Sequence, residues 1–378
     1  MNYKIVRYDS IYNDQICELE KENWGSNSNL IKTYFQWKYF ENPYSDSPKL
    51  YLAFLEGKVI AVRGMYETKW QLGESAESFK ALCSSDLVIH PKHRNKGLHP
   101  ELMNFMKNDL YDLGYKYLFN FSANPINLIS TLAIGWKSIG RIKIMEKQFQ
   151  RKEFSAFISI KKLLKKTGIN KVLRHGINKV LSHRRKGNPY IYHIIHKDSK
   201  SKVPSRIKIE NHPRPEEMYS LVKKLIPKNK IILTRDVGFF SWRYKNPLSD
   251  YLFLYWYDNE LKGYLVVQTR LYRGLNNFNI IELEAEYSVI KKELLRYLVI
   301  LLEFSPITIW SNMLDENCNK FLASIGFSET SSTKSLADYT PTVLVQTTGK
   351  SDAKIEFQGC DLLDINNWDL KMIYCDGY

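Results

Sequence analysis

Two signals in one stretch of chain could do chemistry. In "CSSDLVIHPKHRNKGLHPEL", residues 83–102, Asp86 sits in an otherwise apolar run. A turn carrying His90, Lys92, His93, Arg94, Lys96 and His99 follows it. A carboxylate so placed suits proton transfer from an ammonium group, directly or through water; a hydrogen-bonded structural aspartate is the plainer alternative. Ser84 and Ser85 beside it are placed to orient water or substrate. The turn has the makings of an anion cradle. Backbone N–H groups at a helix start lack partners, and the helix dipole adds positive potential there. Gly97 lets an anion approach the backbone, Arg94 and Lys96 add charge, and Pro100 suits a first helical turn. A solvated basic loop would have the same composition. The three histidines are spaced H-x2-H-x5-H across the turn, with no carboxylate or thiolate partner nearby, so no metal is expected. Cys83 has no evident base and is expected to be a buried, inert thiol.

Strand, turn and helix must hold these residues, and the pattern supplies them. Before the turn come a strand at 3–8, helices near 14–24 and 30–40, and a hairpin of 50–55 and 59–69 turned by Glu56, Gly57 and Lys58. The strand at 81–89 runs into the turn, and a helix at 100–113 leaves it. A strand at 117–122, a helix at 125–134 and a last strand at 138–146 follow. That order predicts a mixed sheet with helices on both faces. Asn120, Ser122 and Asn124 close the penultimate strand as ligand contacts or as helix caps.

The chain also repeats itself. "YFQWKYFENPYSD" (34–46) and "FFSWRYKNPLSD" (239–250) share an aromatic pair, Trp, a basic residue, Tyr, Asn-Pro and Ser-Asp. A strand, turn and strand follow each, and each half later reaches a helix ending in Gly and an aromatic, "LAIGW" and "LASIGF". This order indicates a duplicated domain. Recurrence of Trp37/Tyr39 as Trp242/Tyr244 favours a packing role for these aromatics over a sugar platform. The expected organisation is a first domain at 1–150, a basic amphipathic helical segment at 151–210, and a second domain at 211–378. Residues 151–210 hold 17 Lys and Arg against three acids, much of the chain's net charge of +15. A linker packed on both domains and a segment lying on an anionic membrane both fit. Nucleic acid fits less well, because almost no aromatics precede Tyr190 to stack on bases.

The strand and turn resemble motif A of the GNAT acyltransferases, which pairs a strand ending V-x-P with a loop Arg/Gln-x-x-Gly-x-Gly/Ala. Arg94 and Gly97 fall on its first two fixed positions, and His99 stands where the third residue is usually small. The family's Asn-(x)10-Gly-aromatic signature matches Asn124, Gly135 and Trp136. The resemblance implies two tandem GNAT-like α/β (α+β) domains joined by the basic segment. It implies coenzyme A, as acetyl-CoA, bound through Leu87, Val88, Ile89, Arg94, Asn95, Lys96, Gly97, Leu98, His99 and Asn124. Backbone N–H groups at residues 87–89 would then polarise the thioester carbonyl. Asp86 would accept the amine's proton, directly or through water, Ser85 would orient water or substrate, and Thr131 stands where the family often has an acidic tyrosine. The second half has no such loop: "LEAEYSVIKKELLRYL" runs into its helix without a glycine turn. It resembles a degenerate copy without cofactor. The tandem plan is similar to GNAT proteins encoded among bacterial surface-polysaccharide genes, which implies an amino-sugar acceptor, free or lipid-linked.

Composition bounds these readings. At 378 residues, 44% hydrophobic, the chain can build two cores. Five cysteines, far apart and without a C-x-x-C pair, argue against a disulfide framework and for a reducing compartment. No signal peptide is evident, and the longest apolar run, "YLVILL", is too short to span a bilayer. The expected place is the cytoplasm, with the inner membrane face as a variant. Two rivals to N-acyl transfer remain open: a Fem-like peptidyltransferase using aminoacyl-tRNA, and a non-catalytic adaptor on a GNAT scaffold.

Overall fold

The computed structural model describes residues 2–123, 125–148, 204–270, 278–302, 305–330, 341–349 and 354–375. Asn124 and most of the basic segment, 149–203, lie outside the described residues.

The first half begins with β1 (Lys4–Arg7), α1 (Asn13–Trp24) and α2 (Ser28–Phe35), the last continuing into a π-helical turn, Gln36–Phe40. Gly25, at φ 80°, ends α1, and the Asn27 side chain caps α2 by accepting from Leu30 N. Then come β2 (Lys49–Leu55), β3 (Lys58–Leu72), β4 (Ser78–Ile89), α3 (Leu98–Asp112), β5 (Tyr117–Ala123), α4 (Pro125–Ala133), β6 (Lys137–Arg141) and β7 (Ile144–Lys147). Glu56 and Gly57, at φ 51° and 75°, close the β2–β3 hairpin, because a two-residue turn between twisted strands needs positive φ at both positions.

The second half follows the same plan. It has β8 (Ile207–Glu210), α5 (Pro215–Lys224), β9 (Ile231–Leu233), α6 (Val237–Arg243), β10 (Ser249–Asp258), β11 (Glu260–Arg270), β12 (Phe278–Ala285) and α7 (Ser288–Leu301). β13 (Ile307–Trp310), α8 (Glu316–Ser324), β14 (Ser328–Glu329), β15 (Thr342–Thr347) and a small hairpin, β16 (Glu356–Phe357) with β17 (Cys360–Asp361), complete it.

The first sheet runs β1-β2-β3-β4-β5-β15-β6, with β9 added at the far end of β3. The second runs β14-β7-β13-β12-β11-β10-β8. The halves therefore exchange strands. β15 enters the first sheet between β5 and β6, and β7 enters the second between β13 and β14. The single strand expected at 138–146 is in fact two strands in different sheets. Ile142 lies between them, and its N–H donates to Pro341 O just before β15. Sequence pattern could not separate them, since both pieces are short and half-buried and only their partners differ.

Helices α1 and α2 cover one face of the first sheet and α3 the other, each face with its own apolar cluster. The α1/α2 cluster continues without a break into the second half. There the repeated tryptophans meet: Trp37 and Trp242 stack 5.0 Å apart, 12° from parallel. Each indole N–H donates to the other's backbone carbonyl, at 2.8 and 2.7 Å. The packing role expected of the tryptophans holds. None of the five cysteines is in a disulfide. Among the described residues, no helix is long and apolar enough to cross a membrane.

Residues 343–345 of β15 are fully buried, so a fragment ending before β15 would leave a slot in its sheet. Residues 1–148 alone should fail to unfold cooperatively, and should recover when co-expressed with 149–378, the two co-purifying. A monomeric 1–148 with a sharp denaturation transition would refute the exchange.

Candidate active site

β3 and β4 pair in register until Arg63 faces Leu87 and Gly64 faces Ser85. Asp86 is the extra residue between them, at φ 36°. Such a bulge bends the strand and re-aims a side chain. On its other edge β4 pairs in parallel with β5 only at Leu82–Leu118 and Cys83–Phe119. The two strands thus part just before Asp86.

The Asp86 carboxylate is gripped from the π-helical turn after α2. Its Oδ2 accepts from Lys38 Nζ at 2.8 Å, Tyr39 Oη at 2.5 Å and Ser85 Oγ at 3.1 Å. Lys38 also donates to Tyr34 Oη at 2.9 Å and to Ser85 Oγ, and lies over the rings of Tyr34, Tyr39 and Tyr66 at 5.0–5.6 Å. Both members of the ion pair are 1% exposed. A Cβ on Gly64 would lie 1.8 Å from Tyr39 Oη, so only glycine leaves room for the phenol that reaches Asp86. Tyr39 therefore does more than pack, unlike the expectation for it. Glu20 of α1 is fully buried close by. Burial, then the charge of Asp86, raise its pKa well above the carboxylate range, with Lys38 opposing.

Beyond the parting strands lies a cavity of about 230 Å³. Arg63 of β3 and residues 84–87 of β4 form one wall, Asn120 and Ala123 of β5 another. His99 of α3 and Ser130, Thr131 and Trp136 at and after α4 close it. Burial, then the charge of Arg63, push the His99 pKa down to about 4, so the ring is neutral at physiological pH. The exchanged strand reaches this wall: Gln346 of β15 donates to Ile134 O at 2.7 Å, capping the helix that carries Thr131.

The turn into α3 has Asn95 and Gly97 at φ 61° and 78°. Gly97 is the helix N-cap, no side chain caps that first turn, and the space where a Cβ would stand is open. Arg94 holds the loop, donating Nε to Ile89 O at 2.9 Å and reaching Glu22 at 3.4 Å. Lys96 is exposed; the side chains of Leu98 and Val88 are buried in the two cores, leaving only their backbone to meet a ligand. Ile89 packs partly against the α3 core. His90 and His93 lie with ring centroids 5.8 Å apart, and His90 Nδ1 accepts from Lys92 N at 3.3 Å. Among the described residues, no three His, Cys, Asp or Glu gather as metal ligands would.

The structure thus brings Asp86, Ser85, Leu87, His99 and Thr131 to one cavity and adds Lys38, Tyr39, Gly64 and Arg63. A signal for the additions was present. Lys38 interrupts an aromatic run, and Arg63 an apolar strand beside a glycine, as Asp86 does in its own strand.

No protein-family model and no curated protein matches the sequence. Solved structures match in fold. A GCN5-related N-acetyltransferase from Anabaena variabilis aligns over 92% of this chain and 73% of its own, with TM-score 0.53 and 10% identity. A probable N-acyltransferase from Enterococcus faecalis aligns over the same shares, with TM-score 0.54 and 9% identity. A tandem GNAT protein from the clavulanic acid biosynthesis pathway aligns over 93% of this chain and all of its own, with TM-score 0.51 and 10% identity. The chain has the tandem GNAT fold.

Removing one partner of a buried ion pair strands the other charge, at a cost of about 3–5 kcal/mol. Lys38→Met should lose about that much stability in chemical denaturation, and Lys38→Met/Asp86→Asn distinctly less; equal losses would show that the pair is not coupled. Glu20 keeps in the folded state a proton that the unfolded chain releases near its ordinary pKa of 4.5. Stability should therefore fall as pH rises above that value. Glu20→Gln should flatten that fall; an unchanged slope would assign it to another group.

Proposed function

We propose that the protein is an acyl-CoA-dependent N-acyltransferase, acetyl-CoA being the donor and an amino group the acceptor. The observation that carries this reading is the gap between β4 and β5, bulged at Asp86 and opening on a polar cavity beside the glycine turn. An extended thioester needs such a gap, and a diphosphate needs an uncapped helix start with room at Gly97. When bound, coenzyme A supplies an activated acyl group. Asp86 is too buried to meet an amine itself, but Ser85 lines the cavity and donates to it. A proton leaving the amine passes to Ser85 Oγ as the serine proton passes to Asp86 Oδ2. Lys38 and Tyr39 hold that carboxylate in place. Thr131 can donate a hydrogen bond to a departing sulfur; a hydroxyl is a far weaker acid than a thiol, so it does not protonate it.

For the acceptor, the similarity of the tandem plan to polysaccharide-associated GNAT proteins supports an amino sugar of a surface glycan. The Lys and Arg content of residues 151–210 supports presentation of a lipid-linked form at an anionic inner membrane surface.

Gly97→Asp puts a carboxylate at the helix start and strains a left-handed φ. It should abolish acetyl-CoA binding in calorimetry, while Gly97→Ala, which shares the strain but not the charge, weakens it less. Asp86→Asn should lower kcat on an amine at least about a hundredfold, the usual scale for losing a proton acceptor, with acetyl-CoA affinity nearly kept. Retained turnover in Asp86→Asn would remove Asp86 from the reaction.

A further inference from the structure

Arg63 is 7% exposed and faces the cavity from β3. It shares a face of the strand with Ala61 and Met65, which belong to the same buried cluster as Leu98, Leu102 and Met106 of α3. Its Nη1 donates to Ser85 O at 3.2 Å and its Nη2 to Ser84 Oγ. Its Nε is buried with no hydrogen-bond partner. Neither acceptor is an anion, and among the described residues Arg63 makes no ion pair. The nearest acid, Asp86, commits its Oδ2 to Lys38, Tyr39 and Ser85.

The chain treats its other buried guanidiniums differently. Arg235 is held by Glu282 and Glu284, and Arg243 donates from Nε, Nη1 and Nη2 to two carbonyls and a phenol. Neither borders the cavity. Burial lowers the Arg63 pKa to about 10, which still leaves it charged at physiological pH. A buried guanidinium with an idle N–H is costly unless an anion completes it. The neutral His99 ring adds no second charge, and Ser84, Ser130, Thr131 and Asn120 add hydroxyl and amide groups for an anion's remaining lone pairs.

We propose that Arg63 binds a carboxylate carried by one of the two reactants. The protein then transfers either an acyl group ending in a carboxylate or an acyl group onto an amine that bears one. A carboxylate matches the planar fork of Nε and an Nη, forming two parallel charge-assisted hydrogen bonds. This deepens the N-acyltransferase reading and rests on it for the words donor and acceptor; the anion site itself does not.

The full-length protein tests it in three measurements. Succinate, as a free probe, should raise the melting temperature of the wild type more than an equal concentration of chloride, and not that of Arg63→Gln. Succinyl-CoA should bind about tenfold to a hundredfold tighter than acetyl-CoA if the donor carries the carboxylate. If the acceptor carries it, the two donors bind alike. In that case 2-amino-2-deoxyglucuronate should exceed glucosamine in kcat/KM by a similar factor with acetyl-CoA. Arg63→Gln should erase whichever preference is found, and Arg63→Lys should keep part of it. Succinate stabilisation without binding of either coenzyme A thioester would overturn the acyltransferase reading and leave the anion site standing. No succinate effect and no preference for either carboxylate-bearing reactant in the wild type would overturn the proposal, whatever the variants do.

Discussion

The hydrogen-bond ladder between β5 and β15 is the contact on which the rest depends. β15 comes from the far end of the chain, yet it is the neighbour that β5 requires on the edge away from β4. Without it β5 would have no partner on that side, and β6 would have nothing to join. The reciprocal contact, β7 against β13, closes the second sheet in the same way. Strand exchange therefore makes the halves one folding unit even though each repeats the other's plan. It also reaches the cavity, since β15 caps α4 through Gln346 and packs Leu344 in the core that holds Trp136.

Against that frame, the parting of β4 from β5 is a local defect with a definite cause. A bulge at Asp86 puts one residue too many in β4, and a parallel pairing of two residues cannot be extended past it. The opening leaves residues 84–87 lining the cavity, with the buried Asp86–Lys38 pair beside it. Lys38, Tyr39 and Ser85 all donate to Asp86 Oδ2, and Tyr34 accepts from Lys38. Gly64 is the steric condition for the Tyr39 contact.

The second half shows the same architecture with a different solution. Tyr244 donates to Glu282 at 2.5 Å much as Tyr39 donates to Asp86. There the acids are met by Arg235 and by Lys371 from the C-terminal segment, 3.0 Å from Glu284. Glu282, Glu284 and Lys371 are buried, and the Arg235 side chain is 8% exposed. The Glu284 carboxyl is held down to about 2 by Lys371 and Arg235 against its burial. Arg235 and Lys371 stand to Glu282 and Glu284 as Lys38 stands to Asp86 in the first half.

Much of this was legible in the residues. The hairpin turn, the helix start at Gly97, the duplication and the singular position of Asp86 each follow from local chemistry: φ preferences, apolar period and a charge in an apolar run. Those signals act over a few residues, so one chain segment contains them whole. What tertiary structure alone decided are pairings between segments far apart in sequence. Nothing in residues 138–147 states that its two short strands serve different sheets, and nothing near residue 342 marks that strand for insertion beside β5. Lys38 and Arg63 were visible as charges in apolar surroundings, but charge identifies no partner. Only the fold, by setting one beside Asp86 and the other beside an open cavity, made the first a finished ion pair and left the second with no ion pair among the described residues.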